Sequence, residues 1–120
     1  MKILIADDDQ QIANLLQVKL QKEGFTVNWA DDGEKAVELA LSYDWDLMLL
    51  DVMMPVYDGF QVLKKVKEVK PDLPIMFLTA KGQEKDVLRG FQLGAYDYIS
   101  KPFRPAEVVA RVKRFQNLQG

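Results

Sequence analysis

Five short apolar runs set the strongest constraint on this chain: Ile3-Leu4-Ile5-Ala6, Phe25-Thr26-Val27-Asn28-Trp29, Leu47-Met48-Leu49-Leu50, Ile75-Met76-Phe77-Leu78 and Tyr96-Asp97-Tyr98-Ile99. Four are nearly unbroken, and the second alternates more. Unbroken runs of this length fit strands covered on both faces, as in a parallel sheet. Between them the apolar residues fall at helical spacing. Ile12, Leu15, Leu16 and Leu20 precede Gly24, and Ala36, Val37, Ala40 and Leu41 follow Asp32-Gly33. Phe60, Leu63, Val66 and Val69 lie between an N-capping Asp58 and Pro71. Val87, Leu88 and Phe91 end at Gly94, and Val108, Val109, Val112 and Phe115 begin after Pro105. Strict alternation of strand and helix requires right-handed crossovers and a sheet sandwiched between helices. The expected fold is α/β, an open doubly wound five-stranded parallel sheet in one domain spanning residues 1–120, with 117–120 as a frayed end or linker start.

Composition removes several chemistries. The 120 residues include neither cysteine nor histidine, which excludes thiol nucleophiles, disulfides, zinc fingers and a Ser-His-Asp triad. At 48% apolar the chain has enough material for a core without a staple. Its formal charge of −2, from 16 basic and 18 acidic residues, lacks the basic surplus of a domain that grips nucleic acid directly. Met1-Lys2 runs straight into the first apolar segment and no run is long enough to span a bilayer, so the expectation is a soluble, cytoplasmic domain without a signal peptide.

Ligands of doubly wound folds bind at the carboxyl edge of the sheet. Asp7-Asp8-Asp9 follow the first run and Asp51 the third; Thr79 follows the fourth, and Ser100-Lys101-Pro102 the fifth. Each has an ordinary reading alone: Asp9 as a helix cap, Asp51 as a turn residue, Thr79 as a strand-end hydroxyl, Lys101 as a surface lysine, Gly59 and Gly94 as helix punctuation. Their equivalent placement in a repeating architecture outweighs those readings. Carboxylates gathered at one edge must bind a cation or take up protons. Hard oxygen donors suit Mg²⁺. With a lysine and a hydroxyl beside them, they suit an incoming phosphoryl group, with Asp51 as nucleophile.

The sequence resembles the receiver domain of two-component response regulators along its whole length. Four blocks carry the resemblance: Ile3 to Asp9, Asp51-Val52-Met53-Met54-Pro55 with Asp58-Gly59, Leu78-Thr79-Ala80, and Gly94 to Phe103. It implies a flavodoxin-like (βα)5 fold with strand order 2-1-3-4-5. It also implies Asp51 as phosphoacceptor, Asp8 and Asp51 as direct Mg²⁺ (or Mn²⁺) ligands, Asp7 acting through a water, and the Met53 carbonyl as a further ligand. Thr79 and Lys101 would contact phosphoryl oxygens, Lys101-Pro102 would be cis, and Tyr98 would be the switch aromatic that follows Thr79. The implied partner is a histidine kinase. The domain would assist its own phosphorylation and dephosphorylation without being an enzyme on a separate substrate. Met53 and Lys81 fall where the family tunes hydrolysis, and methionine orients water poorly, which implies a long-lived phosphoryl state.

The C-terminal third is similar to the winged-helix transcription-regulator branch. Asp97, Glu107 and Arg111 match a charged face that pairs activated domains, with Asp97 expected to meet Arg111 across a two-fold axis. Two departures stand out: Val87 replaces the usual basic residue of the fourth helix, leaving Glu107 without its customary partner, and Tyr96 precedes Asp97. The output would be transcriptional, with DNA bound through an effector domain beyond Gly120. Two other readings compete. A flavin or nucleotide binder on this fold would need a glycine- or hydroxyl-rich loop where Asp7-Asp8-Asp9 stand. A stand-alone or degenerate receiver acting as an interaction module would not need Asp8, Asp51, Thr79 and Lys101 together.

Overall fold

The computed structural model describes residues 1–80 and 84–119. It alternates β1 (Lys2–Ala6), α1 (Gln10–Lys22), β2 (Thr26–Ala30), α2 (Gly33–Ser42), β3 (Leu47–Asp51), α3 (Gly59–Val69), β4 (Ile75–Ala80), α4 (Glu84–Gln92), β5 (Asp97–Lys101) and α5 (Pro105–Gln119). The strands are all parallel in the order β2-β1-β3-β4-β5, the order the resemblance implied.

The unbroken apolar runs have a direct cause. Successive side chains of a strand point to opposite faces, and both faces are covered. Leu4, Met48, Leu50, Ile75 and Phe77 face α2 and α3. Ile3, Ile5, Leu47, Leu49, Met76 and Leu78 face α1 and α5. Truncating one of these, such as Leu49→Ala, removes about 2–5 kcal/mol by transfer and cavity formation together.

Helix starts are fixed by carboxylate caps. Asp9 accepts from the N–H groups of Gln11 and Ile12, and Asp32 from that of Lys35. Asp58 and Gln61 form a reciprocal capping box at α3. Gly24 and Gly94 terminate α1 and α4 in the left-handed conformation, at φ 91° and 105°.

The structure refines the sequence reading at several places. β5 extends through Lys101, so Ser100 and Lys101 occupy strand positions and do not follow the strand, while Thr79 lies at the end of β4 as expected. In β2 the strand begins one residue late, because Phe25 donates its N–H back to Leu20 at the end of α1. The buried stripe of α1 is Ala13, Leu16 and Leu20, while Leu15 is 47% exposed. Of the stretch 117–120, given as a frayed end or linker start, residues 117–119 continue α5. The fourth helix also packs differently from its sequence pattern. Leu88 and Phe91 are exposed, and α4 approaches the sheet through Gly90, where a Cβ would lie 2.7 Å from the Phe77 ring. Among the described residues, no helix is long and apolar enough to cross a membrane.

Candidate functional site

Parallel pairing aligns the carboxyl ends of β1, β3, β4 and β5. In register, Ala6 lies beside Leu50, Asp51 beside Leu78, and Ala80 beside Lys101. Residues far apart in sequence therefore meet at one rim.

Asp7 is fully buried and tightly oriented. Its N–H bonds the Ala30 carbonyl at 3.1 Å, and its own carbonyl accepts from the Trp29 indole at 2.7 Å. One carboxylate oxygen accepts the Asp9 N–H at 2.9 Å; the other lies 3.0 Å from Lys101 Nζ. Asp51, also buried, accepts the Met53 N–H at 3.4 Å and lies 3.4 Å from the same Lys101 ammonium. Asp8 is exposed at the mouth. Oxygens of Asp7, Asp8 and Asp51 all come within 4.8 Å of one another. An acidic cluster able to bind a metal is therefore present.

One ammonium shared by buried carboxylates leaves the site short of positive charge. Burial, then the neighbouring Asp7 charge, pushes the Asp51 carboxyl up to about 7, against the pull of Lys101 and the Met53 N–H. Burial alone would depress Lys101, yet its hydrogen bond to Asp7 and the charges of Asp51 and Asp7 hold it above the usual lysine value. Thr79 is buried beside this cluster, and its Oγ1 has no hydrogen-bond partner among the described residues. An unmatched buried hydroxyl costs about 1–3 kcal/mol. The arrangement offers carboxylates to a cation and a hydroxyl to an acceptor. A divalent ion and an anionic oxygen would fill those roles.

Mg–O bonds of 2.0–2.1 Å place octahedral ligand oxygens at most about 4.2 Å apart. The carboxylate oxygens of the cluster, within 4.8 Å of one another, lie close to that span.

The sequence-expected residues divide into two places. Asp7, Asp8, Asp51, Thr79 and Lys101 gather at the rim, with Met53 next to Asp51 and its side chain 71% exposed. The Lys101–Pro102 peptide is cis. Lys81 lies outside the described residues. Tyr98 is half-buried in β5, its ring edge-on to Phe91 at 5.7 Å.

On the other face, Arg111 lies 3.0 Å from Asp97 and 3.6 Å from Glu107 of its own chain. Within the single chain, a strand–helix bridge joins Arg111 to Asp97 and an i,i+4 helix pair joins it to Glu107.

Two residues at the rim escaped the sequence. Trp29 reads as an ordinary strand aromatic, and no spacing rule announces its bond to Asp7. Gly59 reads as helix punctuation, whereas a Cβ there would stand 2.5 Å from the Asp51 carbonyl.

Known proteins agree with this geometry. Residues 3–113 match the family described as response regulator receiver domain. The chain is 48% identical over 112 residues to the alkaline phosphatase synthesis transcriptional regulatory protein PhoP of Bacillus subtilis, covering 93% of this chain and 47% of that protein. It is 46% identical over 112 residues to the transcriptional regulatory protein ResD of the same organism, covering 93% and 46%. The chain therefore spans about half the length of the curated relatives it matches. Among solved structures, a Francisella response regulator receiver domain superposes with TM-score 0.91 at 31% identity, covering 99% of this chain and 98% of that one. The BeF3-activated DrrB receiver domain gives 0.86 at 37%, covering 97% of each. With the fold, the rim and nearly the whole length in agreement, the chain belongs to the response regulator receiver domain family.

Proposed function

We propose that Asp51 accepts a phosphoryl group from a phosphohistidine of a partner kinase, with Mg²⁺ (or Mn²⁺) held by Asp7, Asp8, Asp51 and the Met53 carbonyl. The observation that carries this is the buried Asp51 carboxyl meeting two further carboxylates and one lysine at the rim of the sheet. When bound, the cation supplies charge neutralisation between the carboxylates and the incoming phosphoryl oxygens. An Asp51 oxygen attacks phosphorus as the P–N bond breaks, and the departing imidazole keeps the electron pair and takes a proton. Lys101, no longer shared by two bare carboxylates, turns its ammonium toward a phosphoryl oxygen. The Thr79 hydroxyl, without a partner among the described residues, gains a phosphoryl oxygen as acceptor.

That gain is the switch. As Thr79 turns toward the phosphoryl group it vacates space beside β4 and β5, and the half-buried ring of Tyr98 moves into it. The face formed by α4, β5 and α5 then repacks and pairs with a second copy, with Arg111 exchanging its internal partners for Asp97 of the neighbour. PhoP and ResD are transcriptional regulators about twice this length. The same output, through an effector domain that binds DNA, is proposed for the protein of which this domain is part, in the cytoplasm. Met53 offers no side-chain group to orient an attacking water, so the acyl phosphate persists; decay of the purified phosphoprotein within seconds would contradict this.

Mass spectrometry after incubation with acetyl phosphate tests the assignment. One phosphoryl mass should add in the presence of Mg²⁺, none after chelation, and none to Asp51→Asn. Equal modification of both proteins would refute it.

A further inference from the structure

The loop that joins β3 to α3 carries Met53 beside the acidic rim, and the loop does not rest in a relaxed conformation. Val56 has φ 70°, in the left-handed region that β-branched residues rarely enter. The Tyr57 N–H bonds the Pro55 carbonyl at 2.9 Å, closing a three-residue ring around Val56. An i→i+2 bond about a residue of positive φ is the signature of a γ-turn, a rare and strained one. The Val56 side chain is 63% exposed, so its own packing does not hold it there.

The restraint comes from another helix. Gly33, the first residue of α2, donates its N–H to the same Pro55 carbonyl at 3.1 Å. Its Cα lies so close to the loop that an added Cβ would stand 2.1 Å from the Tyr57 carbonyl oxygen and 2.6 Å from Tyr57 Cβ. The loop is thus gripped on both sides of the strained residue by a position where only glycine fits. Asp32 caps this turn of α2 through the Lys35 N–H at 2.8 Å and, among the described residues, makes no bond to the loop.

We propose that Gly33 is a positioning residue for the cation site: its grip on the γ-turn at Val56 holds the loop in the shape that presents Met53 to the carboxylates. Cation affinity then depends on a helix that contributes none of the clustered carboxylates. This rests on the metal reading above. Because coupling between two sites is reciprocal, a bound cation must also steady the Gly33–Pro55 hydrogen bond.

Mg²⁺ titrations of the whole domain, followed by amide NMR, read both directions. Gly33→Ala pushes Tyr57 away and should weaken Mg²⁺ binding by about 10-fold, as loss of a supporting contact does at other metal sites. Asp32→Ala, which loses a cap but keeps the glycine, should lower the melting temperature and leave Mg²⁺ affinity unchanged. In the wild type, saturating Mg²⁺ should slow hydrogen exchange at the Gly33 N–H. That readout also decides the matter if Gly33→Ala does not fold. Unchanged affinity in Gly33→Ala, an equal loss in Asp32→Ala, or an unaltered Gly33 exchange rate would each overturn the coupling while leaving the metal site intact. A wild type that binds no Mg²⁺ would overturn the metal reading and this inference together.

Discussion

Two ion pairs in this molecule have the same 3.0 Å separation and opposite consequences. Lys101 meets Asp7 at the rim with side chains 20% and 0% exposed; Arg111 meets Asp97 on the α5 face at 40% and 31%. The first ammonium also serves Asp51, and together they form a site with more negative charge than it can compensate. Arg111 is met by Asp97, by Glu107 and by the Tyr98 carbonyl at 3.2 Å, at a partly exposed face. Distance is therefore a poor guide to energetic weight. Burial and charge balance decide it. The rim stores electrostatic tension that a ligand can release, and the outer face holds loosely paired charges free to change partners.

Removing the cation from each pair sharpens the contrast most. Lys101→Met strands two buried carboxylates and should cost about 3 kcal/mol in urea unfolding at pH 8 without metal. The loss should shrink at pH 5, where Asp51 takes up a proton. A loss no larger than that of Arg111→Ala would erase the distinction.

Asp51→Asn runs the other way. The folded-state value near 7 lies above that of an unfolded aspartate, so the native state holds the extra proton between them. Metal-free wild-type stability should fall as pH rises through that interval, and the amide variant should escape the fall. At pH 8 it should be more stable by on the order of 2 kcal/mol, with no advantage at pH 4. Calorimetric scans across pH should show Mg²⁺ stabilising the wild type at pH 8 and leaving Asp51→Asn unmoved.

Thr79→Val removes a buried hydroxyl that has no partner among the described residues. It should gain about 1 kcal/mol in urea unfolding, and lose beryllofluoride-induced dimerisation. Arg111→Ala should change stability by no more than about 0.5 kcal/mol. Sedimentation in beryllofluoride should show the pairing of copies abolished all the same.

The fold was legible because the strands are buried on both faces: Ile3 to Ala6 and Leu47 to Leu50 leave no other arrangement for such unbroken runs. The rim was legible because strand ends in a parallel sheet share an edge, so Asp7, Asp51, Thr79 and Lys101 converge by topology alone. Strand order came from family resemblance, since periodicity does not say which strand lies beside which. Contacts between non-consecutive elements stayed hidden for the same reason. The indole of Trp29 on Asp7, Gly59 against the Asp51 carbonyl and Gly33 against Tyr57 depend on where loops cross in space. α4 misled because its apolar residues Leu88 and Phe91 face outward while a glycine makes the contact. The internal capture of Arg111 stayed hidden because Asp97, Glu107 and Arg111 were weighed only as a face offered to a second molecule.

The most direct test is the titration of the Asp51 side-chain carboxyl by carbon-13 NMR, assigned by its absence in Asp51→Asn. A midpoint near 7 without metal, falling well below that in saturating Mg²⁺, is the predicted result. A midpoint in the ordinary range near 4, indifferent to Mg²⁺, would contradict the account.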